Sequence, residues 1–143
     1  MQTFLPYPDY KQSAKVLDNK RLGKQRVESF QVLRALTIPD YGWRNHPAVK
    51  MWRGYEFELV AYSVAICDEW IARGYKDTCR DKILAFLDEH DFSTDTPMWL
   101  GHETFHRSHR SNLLRKMPEF YASMFEPELP DDLDYYWPPD KRV

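Results

Sequence analysis

The sequence predicts an all-α fold: a compact single domain of about four helices with an extended, Pro-rich acidic C-terminal tail. Apolar residues recur at helical spacing in long stretches, and no stretch of useful length alternates as a β-strand does. Four of the ten prolines fall after residue 126, where they disfavour helix. With 43% hydrophobic and 15% aromatic residues, the 143-residue chain can bury one core. We therefore expect a helical domain over residues 1–125 and a tail over 126–143, packed on or flanking it.

The first predicted helix runs from Lys11 to Leu36 and is strongly basic. On a helix, Asp18, Arg21, Gln25 and Glu28 form one stripe beside the apolar face, where a pocket wall can form. The alternative is a solvated face with helical ion pairs. The basic residues of the helix are Lys11, Lys15, Lys20, Arg21, Lys24, Arg26 and Arg34.

The second predicted helix runs from about Ala48 to Arg73, with Asn45 or His46 as its cap and Pro47 at its first position. Glu56 falls inside its apolar arc. A carboxylate there must be paired, protonated or facing a cavity. Glu56 is therefore either part of a buried ion pair or a carboxylate that lines a site.

Two further helices and the tail complete the prediction. The third helix starts at Asp77 or Thr78 and ends near His90, and the fourth lies within residues 99–116, before Pro118. Residues 91–98 are turn formers. In the tail, the aromatic residues at 135–137 are expected to pin it back onto the domain.

Charge and cysteine content restrict the class of protein. The net charge is −2, but residues 1–125 hold 18 Lys and Arg against 16 Asp and Glu, so basic faces are allowed. The tail acids are Glu126, Glu128, Asp131, Asp132, Asp134 and Asp140. We expect a cytoplasmic, monomeric protein without a cofactor, since Cys67 and Cys79 form no framework and neither a secretory signal nor a membrane span is evident.

The last predicted helix contains the motif His102-Glu103-x-x-His106, which occurs in zinc hydrolases. The third ligand would have to be His109, or Glu119 or Glu126 further along. The basic residues around these histidines would repel a cation, and no strands precede the helix. A zinc hydrolase is therefore an alternative, and the preferred interpretation has no metal.

The same helix can instead face phosphates, because Arg and His side chains donate hydrogen bonds to several phosphate oxygens without a metal. The candidates in this region are His106, Arg107, His109, Arg110, Arg115 and Lys116. Exposed bases could stack on Trp43, Arg44, Phe120 and Tyr121. Each of these aromatic residues could equally belong to the core.

Three patches in order along the chain resemble one known family. They are Lys20-Arg21-Leu22 with Arg26-Val27, then Asn45-His46 with Ala72-Arg73-Gly74-Tyr75 and Asp77-Thr78, then His102-Glu103 with Arg115-Lys116 and Pro118-Glu119-Phe120-Tyr121. On these residues the chain resembles the pyrimidine-dimer DNA glycosylases grouped around phage endonuclease V. It is most similar to a bacterial branch of small proteins grouped with them.

This resemblance implies a compact all-α domain that removes a damaged pyrimidine and then cleaves the abasic site. The implied nucleophile is the α-amine of the chain, which forms a Schiff base with the sugar. A carboxylate on the first helix assists, and nearby arginines hold phosphates. Access to the lesion implies extrusion of a nucleotide from the duplex.

The resemblance carries over to some positions and not to others. It implies roles in DNA contact for Arg21, Arg26, His46, Lys116, Phe120 and Tyr121. The family glutamate falls at Leu22-Gly23-Lys24, where no acid stands, so Asp18, Glu28 or Glu56 would substitute. Gln2 is too bulky for removal of the preceding methionine, so the free amine would belong to Met1.

Three functions therefore compete. The first is a glycosylase and abasic-site lyase acting on DNA, with Met1 and one of the three acids as catalytic residues. The second is a non-catalytic nucleic-acid-binding module, and the third is the zinc hydrolase. DNA contacts are expected from Lys20, Arg21, Lys24, Arg26, Arg44, His46, His106, Arg107, His109, Arg110, Lys116, Phe120 and Tyr121.

Overall fold

The computed structural model describes residues 1–139, and these residues form helices without any strand. The helices are α1 (Tyr10–Val16), α2 (Asn19–Thr37), α3 (Pro47–Lys50), α4 (Glu56–Ala72), α5 (Arg80–Glu89), α6 (Glu103–Lys116) and α7 (Pro118–Tyr121). The predicted all-α class is thus confirmed. Among the described helices, none combines the length and apolar character needed to cross a membrane.

The long basic helix predicted over residues 11–36 is in fact two helices, because the helix is interrupted at residues 17–18. Leu17 has extended backbone angles, with φ −71° and ψ 138°, and Asp18 is the N-cap of α2. The Asp18 carboxylate accepts a hydrogen bond from the Arg21 backbone N–H at 3.3 Å. A side chain that bonds to its own backbone in this way favours a helix start over a helix interior.

The helix predicted over residues 48–73 is also interrupted. The short α3 ends at Lys50, and α4 begins only at Glu56. Between them Gly54 has φ 86°, a backbone conformation that residues with a Cβ rarely adopt. Glu56 is therefore the first residue of α4, where its carboxylate accepts a hydrogen bond from the Gly54 N–H at 3.1 Å.

Of the two remaining long helices, α5 begins later than predicted and α6 lies within its predicted stretch. In α5 the Asp77 carboxylate accepts from the Arg80 N–H at 2.7 Å, so Asp77 stands just outside the helix that it caps. The helix α6 begins at Glu103, after Gly101 with φ 95°. The four longest helices nevertheless correspond to the four predicted stretches, since the extra helices come from the two interruptions and from the short α7.

The core lies around α4, which packs against α1, α2 and α5. Its buried residues include Leu59, Tyr62 and Ile66, each at most 1% exposed. Opposite them α2 contributes Leu22 and Leu33, which are fully buried. Burial of such side chains stabilises a fold by about 1.5–3 kcal/mol each, so the packing of α2 on α4 forms the rigid base of the molecule.

The first residues of the chain pass through this core in an extended conformation. Residues 2–5 are all buried, between 0% and 6% exposed, which is unusual for a chain start. Because a buried extended segment has no helical partners, its backbone groups must be satisfied by side chains. Tyr62 donates to the Phe4 carbonyl at 2.7 Å, and the Leu5 N–H donates to His109 Nδ1 at 2.9 Å. These bonds fix the direction in which the chain start points.

The C-terminal segment follows α6 closely. Ser111 Oγ donates to the Pro130 carbonyl at 2.6 Å and accepts from the Leu133 N–H at 3.1 Å. The Tyr135 ring lies 5.5 Å from that of His109, and the Trp137 ring lies 6.0 Å from that of His46. Residues 140–143, including Asp140 of the acidic tail, lie outside the described residues.

Candidate active site

The buried chain start leads to a pocket of about 340 Å³ beside the first turns of α2. Its lining combines four cationic side chains with one carboxylate, that of Glu28, around the first residue of the chain. The lining residues are Met1, Gln2, Phe4, Lys20, Arg21, Lys24, Gln25, Glu28, Lys116 and Tyr135. Such a lining suits a polyanionic ligand that must come close to an amine and an acid.

The start of α2 explains why these cations share one face. Because Asp18 begins the helix, Lys20 and Lys24 are one turn apart on it, and both side chains are exposed. Arg21 is held more firmly, since its guanidinium donates to the Asp18 carboxylate at 3.1 Å. Lys116, in the last turn of α6, is the fourth cationic side chain that lines the pocket.

Gln25 connects the chain start to the carboxylate of the pocket. Its side-chain amide donates to the Gln2 carbonyl at 2.8 Å and to Glu28 Oε2 at 3.0 Å. Its carbonyl oxygen accepts from the Phe4 N–H and from the Tyr62 hydroxyl, each at 2.8 Å. Gln25 is only 1% exposed, so these bonds are shielded from water.

His46 also lies close to the chain start. It caps α3 through Nδ1, which accepts from the Ala48 N–H at 3.0 Å. Burial lowers the pKa of His46, and the positive charge of the Met1 amine lowers it further. Because Nδ1 accepts this bond, the proton of the neutral imidazole lies on Nε2.

Of the three acids predicted to assist catalysis, Glu28 is the one that lines the Met1 pocket. Asp18 is 3% exposed, and its carboxylate accepts from the Tyr121 hydroxyl at 2.6 Å and from Arg21. The Glu56 carboxylate accepts from the Gly54 N–H, just before α4. Neither Asp18 nor Glu56 lines this pocket, and a catalytic role for either stays a prediction.

Two arginines predicted to contact DNA are occupied by protein groups. Arg26 donates to Asp77 at 2.7 Å, and its guanidinium lies 4.6 Å from the centre of the Trp70 ring. Arg26 thus joins α2 to the loop before α5, and its DNA contact stays a prediction. Arg44 lies on the exposed loop before α3, where it donates to Asp40 at 3.2 Å.

The histidines of α6 are hydrogen-bonded to the chain start and the loop before α6, and their predicted phosphate contacts stay untested. His106 bonds through Nδ1 to the Leu5 carbonyl at 2.8 Å and through Nε2 to the Gly101 N–H at 2.9 Å. His109 is fully buried and accepts from the Leu5 N–H. Burial lowers the pKa of His106 and lowers that of His109 to about 3, with a smaller contribution from His106. Both rings therefore stay neutral and hold the chain start.

Arg110 and Tyr121 are likewise bonded to protein groups, and their predicted DNA contacts stay untested. Arg110 is 6% exposed; it donates to the Pro6 carbonyl at 2.8 Å and pairs with Glu103 and Glu126. Tyr121 is fully buried against Asp18. The remaining predicted contacts of this region are more open, since Phe120 is 37% exposed and Arg107 is half-buried.

The arrangement of the side chains on α6 does not support the zinc interpretation. Both ring nitrogens of His106 are bonded to backbone groups, and Glu103 pairs with Arg110. Within residues 1–139, no group of three or more His, Cys, Asp or Glu side chains is arranged to hold a metal ion.

Four lining residues were not predicted as site residues: Gln2, Phe4, Gln25 and Tyr135. Gln25 carried a signal, because it shares the helical stripe of Arg21 and Glu28. The others become lining residues only through long-range folding of the chain start and of the tail onto α6, which helical periodicity does not encode.

Comparison with known proteins agrees with the resemblance. The family model of the pyrimidine dimer DNA glycosylases matches residues 1–83, more than half of the chain. The match includes every lining residue of the pocket except Lys116 and Tyr135. No curated protein and no solved structure matches the chain significantly. The chain belongs to the pyrimidine dimer DNA glycosylase family, which supports a glycosylase-type role in DNA repair.

Proposed function

We propose that the protein is a DNA glycosylase and abasic-site lyase that acts on damaged pyrimidines or abasic sites through the α-amine of Met1. The observation that carries this proposal is the pocket in which Met1 and Glu28 lie among four cationic side chains. A strand phosphate beside the extruded nucleotide would be held by Lys20, Arg21 and Lys24, which places the sugar against the amine.

The chemistry follows from these groups. The lone pair of the neutral amine attacks C1′ of the nucleotide, and the bond between C1′ and the base breaks. The base leaves with the electron pair of that bond and takes up a proton. The nitrogen then loses a proton and the sugar ring opens, with a proton taken up by the ring oxygen, which gives an imine. Removal of a proton from C2′ forms the C2′–C3′ double bond and expels the 3′ phosphate with the electron pair of the C3′–O bond.

Glu28 suits the assisting role in this sequence. Its carboxylate is half-buried at the pocket wall and stays anchored through Gln25. A fixed carboxylate stabilises the positive charge that develops on the sugar and on the imine. It can also accept the proton that the amine loses.

A non-catalytic DNA-binding protein is the second candidate, since the same cations would hold a duplex without chemistry. The two candidates differ in what they require of the Met1 amine. If the protein only binds DNA, the logarithm of its affinity should fall linearly with the logarithm of the salt concentration. Acetylation of the amine should then leave the affinity unchanged. The proposed reaction requires that amine to be free.

Borohydride trapping on abasic duplex DNA separates these candidates. We expect the wild-type protein to give a covalent adduct, the acetylated protein none, and Glu28→Gln an adduct formed at least about 100-fold more slowly. Asp88→Asn, which changes an exposed carboxylate on α5, is the matched control and should react like the wild type. Binding without any adduct from the wild type would leave only the second candidate.

A further inference from the structure

We infer that Gln25 is a positioning residue for the proposed reaction, because it sets the Met1 end of the chain and the Glu28 carboxylate in one fixed geometry. This inference rests on the proposed function. Gln25 touches neither the duplex nor the reacting atoms in this account. It acts through the two groups that do.

The hydrogen bonding of Gln25 is complete. A side-chain amide has two N–H donors and a carbonyl oxygen that accepts two hydrogen bonds. In Gln25 the donors go to the Gln2 carbonyl and the Glu28 carboxylate, and the oxygen accepts from Phe4 and Tyr62. Any rotation of this amide would break several buried bonds together, so its orientation is uniquely specified.

The two bonds to the chain start determine where the amine lies. The Gln2 carbonyl belongs to the residue directly after Met1, and the Phe4 N–H lies two residues further on. A register slip of one residue would present these backbone groups in the wrong order. Gln25 therefore holds the extended segment in the register that brings Met1 to the pocket.

The bond to Glu28 links this register to the acid. Glu28 lies one helical turn after Gln25 on α2, and its carboxylate accepts the second N–H of the same amide nitrogen. One planar amide group thus contacts both the backbone next to the amine and the assisting carboxylate. A proposed nucleophile and its acid are kept in a constant relation by a group that neither carries charge nor titrates.

Substitution of this amide tests the inference with the full-length protein. Gln25→Met is close in volume and removes all four hydrogen bonds, whereas Gln25→Glu keeps the shape and removes the two donors. We expect the single-turnover trapping rate on abasic duplex to fall at least about 30-fold in both, while the dissociation constant for the same duplex changes less than about three-fold.

The pH profile gives a readout that loss of stability alone would not move. In Gln25→Glu a second carboxyl group lies beside Glu28, and two carboxyl groups at hydrogen-bond distance disfavour ionisation of both. The acidic limb of the trapping rate should therefore shift to higher pH. Gln25→Met only removes the donor to the Glu28 carboxylate, so its shift in the same direction should be smaller.

Thr3→Val is the matched structural control. Thr3 is fully buried, and its hydroxyl accepts a hydrogen bond from Trp52 Nε1 at 3.0 Å. Loss of that bond in Thr3→Val should loosen the same segment and leave the bonds of Gln25 in place. Rates are compared at temperatures where each variant is folded by circular dichroism. If Gln25→Met traps as fast as Thr3→Val, or if the acidic limb of Gln25→Glu stays in place, the inference is wrong. If the wild type itself gives no adduct, the proposed function fails instead.

Discussion

Mild acid should destabilise this protein through His109, because that ring is buried in its neutral form. In an unfolded chain a histidine takes up a proton below about pH 6.5. In the folded protein, burial lowers the pKa of His109 to about 3. Between these values the unfolded state binds the additional proton, so the free energy of unfolding decreases as pH falls.

The size of this effect follows from the two pKa values. Between pH 7 and pH 5, His109 alone should lower the free energy of unfolding by about 2 kcal/mol, out of a typical total of about 5–15 kcal/mol. His106 and His46 act in the same direction, since the pKa of each is lowered by burial.

Urea denaturation at several pH values measures this loss, and one substitution isolates the histidine. In His109→Asn the amide oxygen can accept from the Leu5 N–H in place of Nδ1, yet the side chain does not titrate. This variant should lose about 2 kcal/mol less than the wild type between pH 7 and pH 5. His102→Asn, at an exposed position, should follow the wild type. Equal pH dependence of wild type and His109→Asn would refute the reasoning.

Three other substitutions have definite expected outcomes. Tyr121→Phe removes the hydroxyl that bonds both the N–H and the carboxylate of Asp18, and should lower the free energy of unfolding in urea by about 1–3 kcal/mol. Lys24→Ala should reduce the slope of log affinity for DNA against log salt by about 0.9, and an unchanged slope would exclude its phosphate contact. Gly23→Ala should lower the melting temperature despite a helix propensity gain of about 1 kcal/mol, because its Cβ would lie 3.0 Å from the Trp70 ring; a rise would show that the ring yields.

Periodicity predicted the fold class well because most helices of this protein bury an apolar face. The faces of α2 and α4 are of this kind: α2 buries Leu33 and α4 buries Ile66. The helix interruptions were missed because they depend on single residues. Asp18 reads as a stripe residue but acts as a cap, and Gly54 takes a positive φ within an otherwise helical pattern.

The residues of the site were likewise predictable only in part. The stripe on α2 could be found from the sequence, since spacing alone puts Arg21, Gln25 and Glu28 on one side of the helix. The sequence could not show the structural bonds of the α6 histidines, because a buried neutral imidazole and a phosphate-binding one are the same residue type. Only the course of the first residues through the core shows that His106 and His109 bind Leu5.

Peptide mapping by mass spectrometry of the borohydride-reduced adduct on abasic DNA identifies the nucleophile. We expect the reduced sugar to be attached to the N-terminal peptide, at the α-nitrogen of Met1, while Lys20, Lys24 and Lys116 remain unmodified. Attachment at a lysine side chain, with the Met1 amine intact and unacetylated, would contradict this expectation.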